Sequence, residues 1–528
     1  MMSTHSRSNV CGRMARAGVS LLLFASASVH AHPTAATTKI TLDEVLQHAR
    51  VAANRDAWQK LEHGLFMTGT SDTRAIDSTF ELTLSSDGRY HYATHGQLAI
   101  TTAFDGDTLR QRERSGPVTP LVLGSREAWH LSEWIHSGFW LDSRSGLTIE
   151  KAGESDAEVT LILRIEDSPT QAKLTIDRQT WLPQVMTRRL NGRDQILAFL
   201  DYETVAGIPM ARLVETRTEG AESQVRIENA SVARDKESNG YIVHPSDVMD
   251  YEFDLDVAAQ IELKQVPSGH LLVHPMIEGK DVGWFILDSG AGRCCVDTKV
   301  ADRLGLEKFG AVPAMGVGGV VPASFRQGKH FQLGPLEMRD TIYVELELSF
   351  LSGHFGMEIA GICGYDLFAR SVVALDLETL ELNLFDPTSF ELEEGDWGEL
   401  VLDSQIPCIR CSFEGERSGL FKIDLGDPGT IAFYSPAVES LQLLEGRDVQ
   451  ASQIGGVGGS GRASSGILKW FEIGGQRVEA LDAIFSQSEI GAFANPYALG
   501  NLGSTMLRPF RLVFDYTHRR IALQPRSH

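Results

Sequence analysis

A short hydrophobic segment that ends in an aspartate and a glycine occurs twice in this chain of 528 residues. The first copy, residues 285–291, reads Phe-Ile-Leu-Asp-Ser-Gly-Ala, and the second, residues 421–427, reads Phe-Lys-Ile-Asp-Leu-Gly-Asp. Each copy delivers one aspartate, Asp288 or Asp424, into a tight turn. If two related half-domains bring these side chains together, one carboxyl group keeps a proton while the other is ionised and can activate water.

Three further landmarks follow both aspartates in the same order and at nearly equal spacing. They are a Gly-Val-Gly-Gly segment (316–319 and 456–459), an apolar segment between two glycines (361–364 and 500–503), and an aspartate before an apolar closing strand (Asp376 and Asp515). Four shared landmarks predict a tandem duplication of one β-rich lobe. We assign residues 256–390 to the first lobe and residues 391–528 to the second. Asp376 and Asp515 are interpreted as structural turn residues.

The duplicated region, residues 256–528, resembles the aspartic peptidases, in particular the bacterial retropepsin-like group. The resemblance rests on the Asp-Ser-Gly-Ala turn, the two glycine-rich segments and the two apolar-glycine segments. In that family the aspartate turn supplies catalysis, and the glycine-rich hairpin forms a flap over the substrate. The apolar-glycine segment packs behind the aspartate turn. Family members with one lobe must dimerise, so two lobes in one chain imply a monomer.

The resemblance implies that Asp288 and Asp424 form a catalytic pair that hydrolyses peptide bonds without a metal or covalent intermediate. Gly290 and Gly426 permit turns that point the carboxylates at each other. Ser289 can hydrogen-bond across to the opposite turn and fix the two lobes relative to each other. The predicted supporting residues are therefore Ser289, Gly290 and Gly426. The residues predicted to bind substrate through the flaps are Gly316, Gly318, Gly319, Gly456, Gly458 and Gly459.

The second turn departs from the family pattern at two positions. Leu425 stands where a serine or threonine is expected, so half of the hydroxyl contact between the turns is missing. Asp427 replaces a small residue and adds a third carboxylate, which should raise one pKa further or disturb the geometry. We predict an exported aspartic endopeptidase acting on peptides or proteins. The alternative is a catalytically degenerate protein that binds peptide or lipid.

Residues 32–255 lack the aspartate motifs and have their own pattern. A helix is predicted from Leu42 to Trp58, followed by alternating runs such as 80–84 and 158–163 that indicate an antiparallel sheet with one buried face. This order resembles the periplasmic lipoprotein-carrier proteins, a half-open β-barrel closed by helices around an apolar cavity. The expected fold class is thus mainly β, with an α+β half-barrel-like domain before the two lobes. An unrelated accessory domain and a propeptide that covers the cleft are the alternatives.

The N-terminal segment and the net charge of the chain indicate where the protein is located and which partners it binds. In residues 1–31, three arginines precede the apolar run 19–24, and small residues follow at 29–31, as in an export signal. With a net charge of −22, the chain lacks the excess of basic residues that binding to nucleic acids requires. We expect a soluble periplasmic or secreted protein that does not bind nucleic acid, with contacts to lipids or lipoproteins at a membrane left open.

Two patterns that suggest cofactors are both incomplete. Cys408 and Cys411 have CxxC spacing, but no second pair completes four zinc ligands, and a strand directs residues three apart to opposite faces. Residues 456–461 fit the GxGxxG pattern of dinucleotide-binding proteins, yet a strand-like segment follows where a helix should begin. We therefore expect buried core cysteines, a mobile glycine hairpin and no cofactor.

Overall fold

The computed structural model describes residues 39–190 and 192–526. The predicted export signal, residues 1–31, lies outside the described residues. The described chain is mainly β, as predicted, and from Leu42 onward it forms one compact unit. No helix in the described ranges is long and apolar enough to span a membrane.

The helices are short and lie between strands. The α-helices span Leu42–Ala52, Arg55–Trp58, Leu123–His136, Asp235–Ser238, Thr298–Leu304, Ser352–Phe355, Tyr365–Phe368, Ser435–Ser440 and Ser504–Leu507. The 3₁₀ turns span Phe139–Leu141, Ser143–Ser145, Asn239–Tyr241, Ser349–Leu351 and Ala492–Ala494. The predicted single helix through Trp58 is wrong, because Asn54 adopts a left-handed conformation (φ 46°) that separates the first two helices.

The N-terminal sheet, strands Leu65–Thr73 to Ala221–Val232, has thirteen strands. The strands are Leu65–Thr73, Ile76–Leu84, Tyr90–His95, Ile100–Phe104, Leu109–Glu113, Thr119–Pro120, Leu147–Glu154, Glu158–Ile165, Gln171–Asp177, Pro183–Leu190, Arg193–Val205, Ile208–Thr218 and Ala221–Val232. Two meanders meet where Leu65–Thr73 pairs with Ala221–Val232, and the adjacent strands are antiparallel. Trp134 of the long helix Leu123–His136 packs into the core of this sheet. The predicted antiparallel sheet is confirmed.

Each lobe contains an eight-stranded sheet, and the two sheets have the same strand order and orientation. The first contains Lys264–Gln265, Leu271–Val273, Phe285–Leu287, Cys295–Asp297, Glu307–Gly316, Gly319–Gln327, Ile342–Leu346 and Gly361–Cys363. The second contains Val401–Asp403, Ile406–Phe413, Arg417–Asp424, Ile431–Phe433, Val449–Gly456, Gly459–Ile473, Gln476–Ser486 and Gly500–Gly503. In both sheets the strand before the aspartate pairs in parallel with the apolar-glycine strand.

Two smaller sheets complete the fold. A six-stranded sheet joins the lobes through the antiparallel pairing of Val372–Asp376 with Phe510–Asp515; its other strands are Gln260–Ile261, Glu381–Phe385, Gly398–Glu399 and Arg520–Pro525. A five-stranded sheet contains Tyr251–Phe253, Met276–Ile277, Lys280–Asp281, His330–Leu333 and Leu336–Arg339. Tyr251–Phe253 precedes the predicted boundary at residue 255, yet pairs with Leu336–Arg339 of the first lobe. The three domain ranges stay predictions.

Candidate active site

The aspartate turns are held from behind by the apolar-glycine strands, as the resemblance implies. The backbone N–H of Asp288 donates to the carbonyl oxygen of Cys363 at 3.0 Å. Asp424 pairs in register with Gly503 in the second lobe. A Cβ atom on Gly361 would lie 2.4 Å from the carbonyl oxygen of Cys295, so only glycine allows the strands to approach this closely. Two crossing backbone segments thus fix the position of each aspartate.

The structure brings Asp288 and Asp424 together. Each turn glycine packs against the opposite aspartate: a Cβ atom on Gly290 would lie 2.6 Å from Cγ of Asp424, and one on Gly426 would lie 2.5 Å from Cγ of Asp288. The two carboxyl groups are thus close neighbours, and both line the same cavity. The predicted role of the glycines, to let two carboxyl groups face each other, therefore has a direct steric basis.

The two carboxyl groups do not have equivalent electrostatic environments. Burial raises the pKa of Asp288, but the backbone N–H of Gly290, 2.7 Å from its Oδ1, favours the ionised form. Burial also raises the pKa of Asp424, and the carboxylates of Asp288 and Asp427 raise it further. Since the pair shares one proton, we place that proton on Asp424 and the negative charge on Asp288.

Asp427 lies at the floor of the same cavity, next to the pair. Its Oδ1 accepts the backbone N–H of Gly429 at 2.8 Å, and burial raises its pKa. The negative charge of Asp427 raises the pKa of Asp424, which is the first of the two consequences expected from sequence. The carboxyl groups of Asp288 and Asp424 remain close neighbours beside it.

Ser289 joins the two turns, and the contact is one-sided. Its buried hydroxyl donates to the carbonyl oxygen of Ile423 at 2.8 Å and accepts the backbone N–H of Leu425 at 3.0 Å. Leu425 has no hydroxyl to return the contact, and its side chain is instead buried in the core shared by both lobes. One serine thus satisfies a donor and an acceptor of the opposite lobe.

Asn501 is a site residue to which the sequence analysis assigned no role. Its Nδ2 donates to Oδ2 of Asp424 at 2.7 Å, and the hydroxyl of Tyr434 donates to its Oδ1. The register places Ile362 at the equivalent position of the first lobe. The sequence does carry a signal for Asn501: it is a polar residue at the position where the other apolar-glycine segment has the apolar Ile362.

The glycine-rich segments are the tips of two antiparallel hairpins, which confirms the hairpin prediction. The tips touch: the N–H of Gly318 donates to the carbonyl oxygen of Val457 at 3.2 Å, and a Cβ atom on Gly318 would lie 2.5 Å from the carbonyl carbon of Gly458. Of the six glycines predicted to bind substrate, Gly316 and Gly456 line the cavity, whereas Gly318, Gly319, Gly458 and Gly459 form the touching tips.

A cavity of about 1760 Å³ lies under the hairpins, with Asp288 and Asp424 in its lining. Apolar side chains of the first lobe, including Ile286, Val344 and Phe355, line one part. Residues of the N-terminal sheet, including Tyr92, line another. This volume can hold an extended peptide segment across the carboxyl pair. Among the described residues, no group of three or more His, Cys, Asp or Glu side chains is placed to hold a metal ion.

The aspartyl protease family matches this chain over residues 273–367, a range that contains Asp288 but not Asp424. No curated protein matches the chain. Among solved structures, a DUF1329 family protein from Desulfovibrio piger is similar with 12% identity and a TM-score of 0.27. That likeness covers 36% of this chain and 94% of the other. The family match supports an aspartyl protease domain of the retropepsin-like type in the first lobe.

Proposed function

We propose that this protein is an aspartic endopeptidase whose catalytic pair is Asp288 and Asp424. The observation that carries the proposal is the pair of neighbouring carboxyl groups, Asp288 and Asp424, in the lining of one cavity. Two carboxyl groups that share one proton supply a base and an acid at the same place, which is what peptide hydrolysis by activated water requires.

In the proposed reaction, the Asp288 carboxylate removes a proton from a water molecule as the water oxygen bonds to the carbonyl carbon of the peptide. Asp424 gives its proton to the carbonyl oxygen, which produces a neutral diol. The diol then collapses as the amide nitrogen takes the proton from Asp288 and the C–N bond breaks. The second hydroxyl proton returns to Asp424, so both residues regain their starting states.

The hairpins support this proposal because they cover the carboxyl pair. Val317 of the first hairpin packs against the second lobe beside Ile454, so the tip of the first hairpin is held partly by the opposite lobe. A closed pair of tips excludes bulk water and limits access to segments that can thread beneath them. The proposed substrates are therefore extended peptides or unfolded protein segments.

The location and assembly of the protein are further parts of the proposal. The leader pattern in residues 1–31 supports export to the periplasm or beyond. Both aspartates are supplied by one chain, which supports a monomer as the active form. The excess of acidic residues supports a soluble protein that does not bind nucleic acid.

The proposal is tested by incubating the full-length protein with a mixed peptide library in ¹⁸O-water over a range of pH, followed by mass spectrometry. We expect cleavage, with one ¹⁸O atom in each newly formed carboxylate, and no cleavage by Asp288→Asn. If peptides bind the wild-type protein but remain intact at every pH, the endopeptidase proposal is wrong and the peptide-binding alternative is favoured.

A further inference from the structure

The cavity has two ends that are related by the pseudo-twofold symmetry of the lobes. Gly292 and Arg293 follow the first aspartate turn, and their equivalents Pro428 and Gly429 follow the second. These four residues line the cavity. Because symmetry-related residues lie on opposite sides of the carboxyl pair, a peptide with its scissile bond at the pair runs toward Arg293 in one direction and toward Gly429 in the other.

At each end of the cavity, the first hairpin turn of one lobe packs against the aspartate turn of the other lobe. A Cβ atom on Gly292 would lie 3.5 Å from the carbonyl oxygen of Ser404, in the first hairpin turn of the second lobe. At the other end, Pro428 packs against Gly269, in the first hairpin turn of the first lobe. Any difference between the ends therefore comes from other parts of the chain.

The N-terminal sheet covers the Arg293 end. The carboxylate of Glu113 accepts hydrogen bonds from Nη2 of Arg293 at 2.9 Å and from Nε2 of Gln405 at 2.5 Å. Beside it, the hydroxyls of Ser125 and Ser404 are 3.1 Å apart. The contacts of Glu113 attach the sheet to both lobes, and Ser125, on the helix Leu123–His136, adds a contact with the second lobe.

The same sheet also reaches the hairpin above this end. The backbone N–H of Ala311, on the first hairpin, donates to the carbonyl oxygen of Arg74 at 2.6 Å. A Cβ atom on Gly310 would lie 2.8 Å from the side chain of Ile76. The sheet thus forms a wall from the cavity floor to the hairpin.

The opposite end is built differently. Gly429 stands where the first lobe has Arg293, so this position has no side chain to pair with a carboxylate such as Glu113. The hydroxyl of Thr505, in the same lobe, donates a hydrogen bond to the carbonyl oxygen of Pro428, and its backbone N–H donates to that of Gly429. Gly429 is exposed. A substrate chain can leave the cavity on this side.

On the cavity side of the wall, the cavity extends along the N-terminal sheet. The rings of Tyr92 and Trp129 lie with centroids 5.4 Å apart, and Ile76, Leu98 and Ile100 line the same cavity. We call this part, lined by Ile76, Tyr92, Leu98, Ile100 and Trp129, the end pocket. Its aromatic and aliphatic surface favours an apolar group, because removal of apolar surface from water is favourable.

We propose that the N-terminal sheet closes one end of the substrate cleft, so that cleavage occurs close to one terminus of a peptide whose terminal segment places an apolar group in the end pocket. This inference rests on the proposed endopeptidase function and narrows its substrates to peptides with one free end near the scissile bond. The wall and the end pocket act on binding, so they can be tested separately from catalysis.

The experiment uses the full-length protein and nested peptides built on one cleaved sequence, extended by flexible polar residues at the N-terminus, the C-terminus or both. We expect extension at one terminus, and not at the other, to lower kcat/KM by about 100-fold or more, because the extended end clashes with the wall. The same peptides, labelled with a fluorophore, are also tested for binding to Asp288→Asn by anisotropy.

The end pocket is tested with peptides that carry leucine, phenylalanine or serine at the restricted terminus. Ala99, between Leu98 and Ile100, also lines the cavity. We expect Ala99→Trp, which adds a large side chain there, and Trp129→Ala, which enlarges the end pocket, to change the preference among these peptides by about tenfold. Trp397→Ala is the matched control, since Trp397 is a partly buried tryptophan outside the cavity. Melting temperatures identify variants that fail to fold.

Equal tolerance of extension at both termini contradicts the closed end. A length limit at one terminus with an unchanged preference for apolar residues contradicts the end pocket. Loss of residues 32–255 during incubation, with tolerance at both termini afterwards, makes this region a propeptide and also overturns the inference. If the wild-type protein cleaves nothing, the endopeptidase function fails. The closed end is then decided by the binding of nested extensions of a peptide that binds the wild-type protein.

Discussion

Asn501 donates a hydrogen bond of 2.7 Å to Oδ2 of Asp424, whereas the equivalent residue of the first lobe is Ile362. The hydroxyl of Tyr434 orients the Asn501 amide by donating to its oxygen. Because Oδ2 of Asp424 accepts this bond, its other oxygen is left to carry the shared proton toward Asp288. The two lobes thus give the two aspartates different surroundings.

Replacement of Asn501 by leucine, a side chain of similar size, should lower kcat by about 10- to 100-fold with little change in KM, because one preorganised donor is lost. Tyr434→Phe should have a smaller effect, since the amide remains but is less well oriented. Steady-state kinetics on one peptide measures both variants. Unchanged kcat in Asn501→Leu would show that this hydrogen bond has no part in the reaction.

The turn glycines give a steric test of the carboxyl pair. Alanine at Gly290 or at Gly426 places a methyl group within 2.6 Å of the opposite carboxyl carbon, so the two carboxyl groups must separate. We expect activity to fall by about 1000-fold or more, because a displacement of about 1 Å already costs about 100-fold. Gly353→Ala is the control, since nothing lies within 4 Å of its Cβ position. Active Gly290→Ala and Gly426→Ala enzymes would contradict the observed contact.

Ser289 should matter for stability as well as for geometry. Ser289→Ala leaves the carbonyl oxygen of Ile423 and the N–H of Leu425 without their partner, so the free energy of unfolding should fall by about 1–3 kcal/mol. Ser289→Thr, which keeps the hydroxyl, should lose less. Chemical denaturation followed by fluorescence measures the change. Ser440→Ala, at an exposed serine, is the control, and an equally small loss in both alanine variants would contradict the bridging role.

Asp427 should set the alkaline limit of activity. Its negative charge opposes loss of the shared proton and so raises the pKa of Asp424. Asp427→Asn removes the charge and lowers that pKa, so the alkaline limb of the kcat/KM profile should move to lower pH. The acid limb, which reflects protonation of Asp288, should move less. Asp482→Asn, at an exposed aspartate of the same lobe, should leave the profile unchanged. A shift of the alkaline limb to higher pH would contradict this assignment.

The parts of the fold that repeat along the chain could be predicted from sequence. Strand, aspartate and glycine are adjacent in residues 285–291, so the turn and its neighbours follow from local pattern. The glycine hairpins were predictable for the same reason. The break in the helix at Asn54 could not be predicted, because the hydrophobic spacing continues through it. In the structure, the side-chain amide of Asn54 donates a hydrogen bond to the carbonyl oxygen of Gly207.

Contacts between distant segments could not be predicted from such patterns. Glu113 and Arg293 lie far apart in sequence, and neither belongs to a motif that marks it for the other. The contact between Asn501 and Asp424 depends on register within a parallel strand pair, which the landmark spacing places only approximately. The difference between the surroundings of the two aspartates could therefore be recognised only once the strand pairing was known.

The central claim is that Asp288 and Asp424 act as one catalytic unit, and the most direct measurement is peptide cleavage by Asp288→Asn, Asp424→Asn and the double variant. Asp256→Asn, at an exposed aspartate outside the cavity, is the matched control. We predict that each single variant loses at least about 1000-fold in kcat, that the double variant is no worse than either, and that Asp256→Asn keeps wild-type activity. Full activity in either Asp288→Asn or Asp424→Asn, with folding retained, would contradict the account.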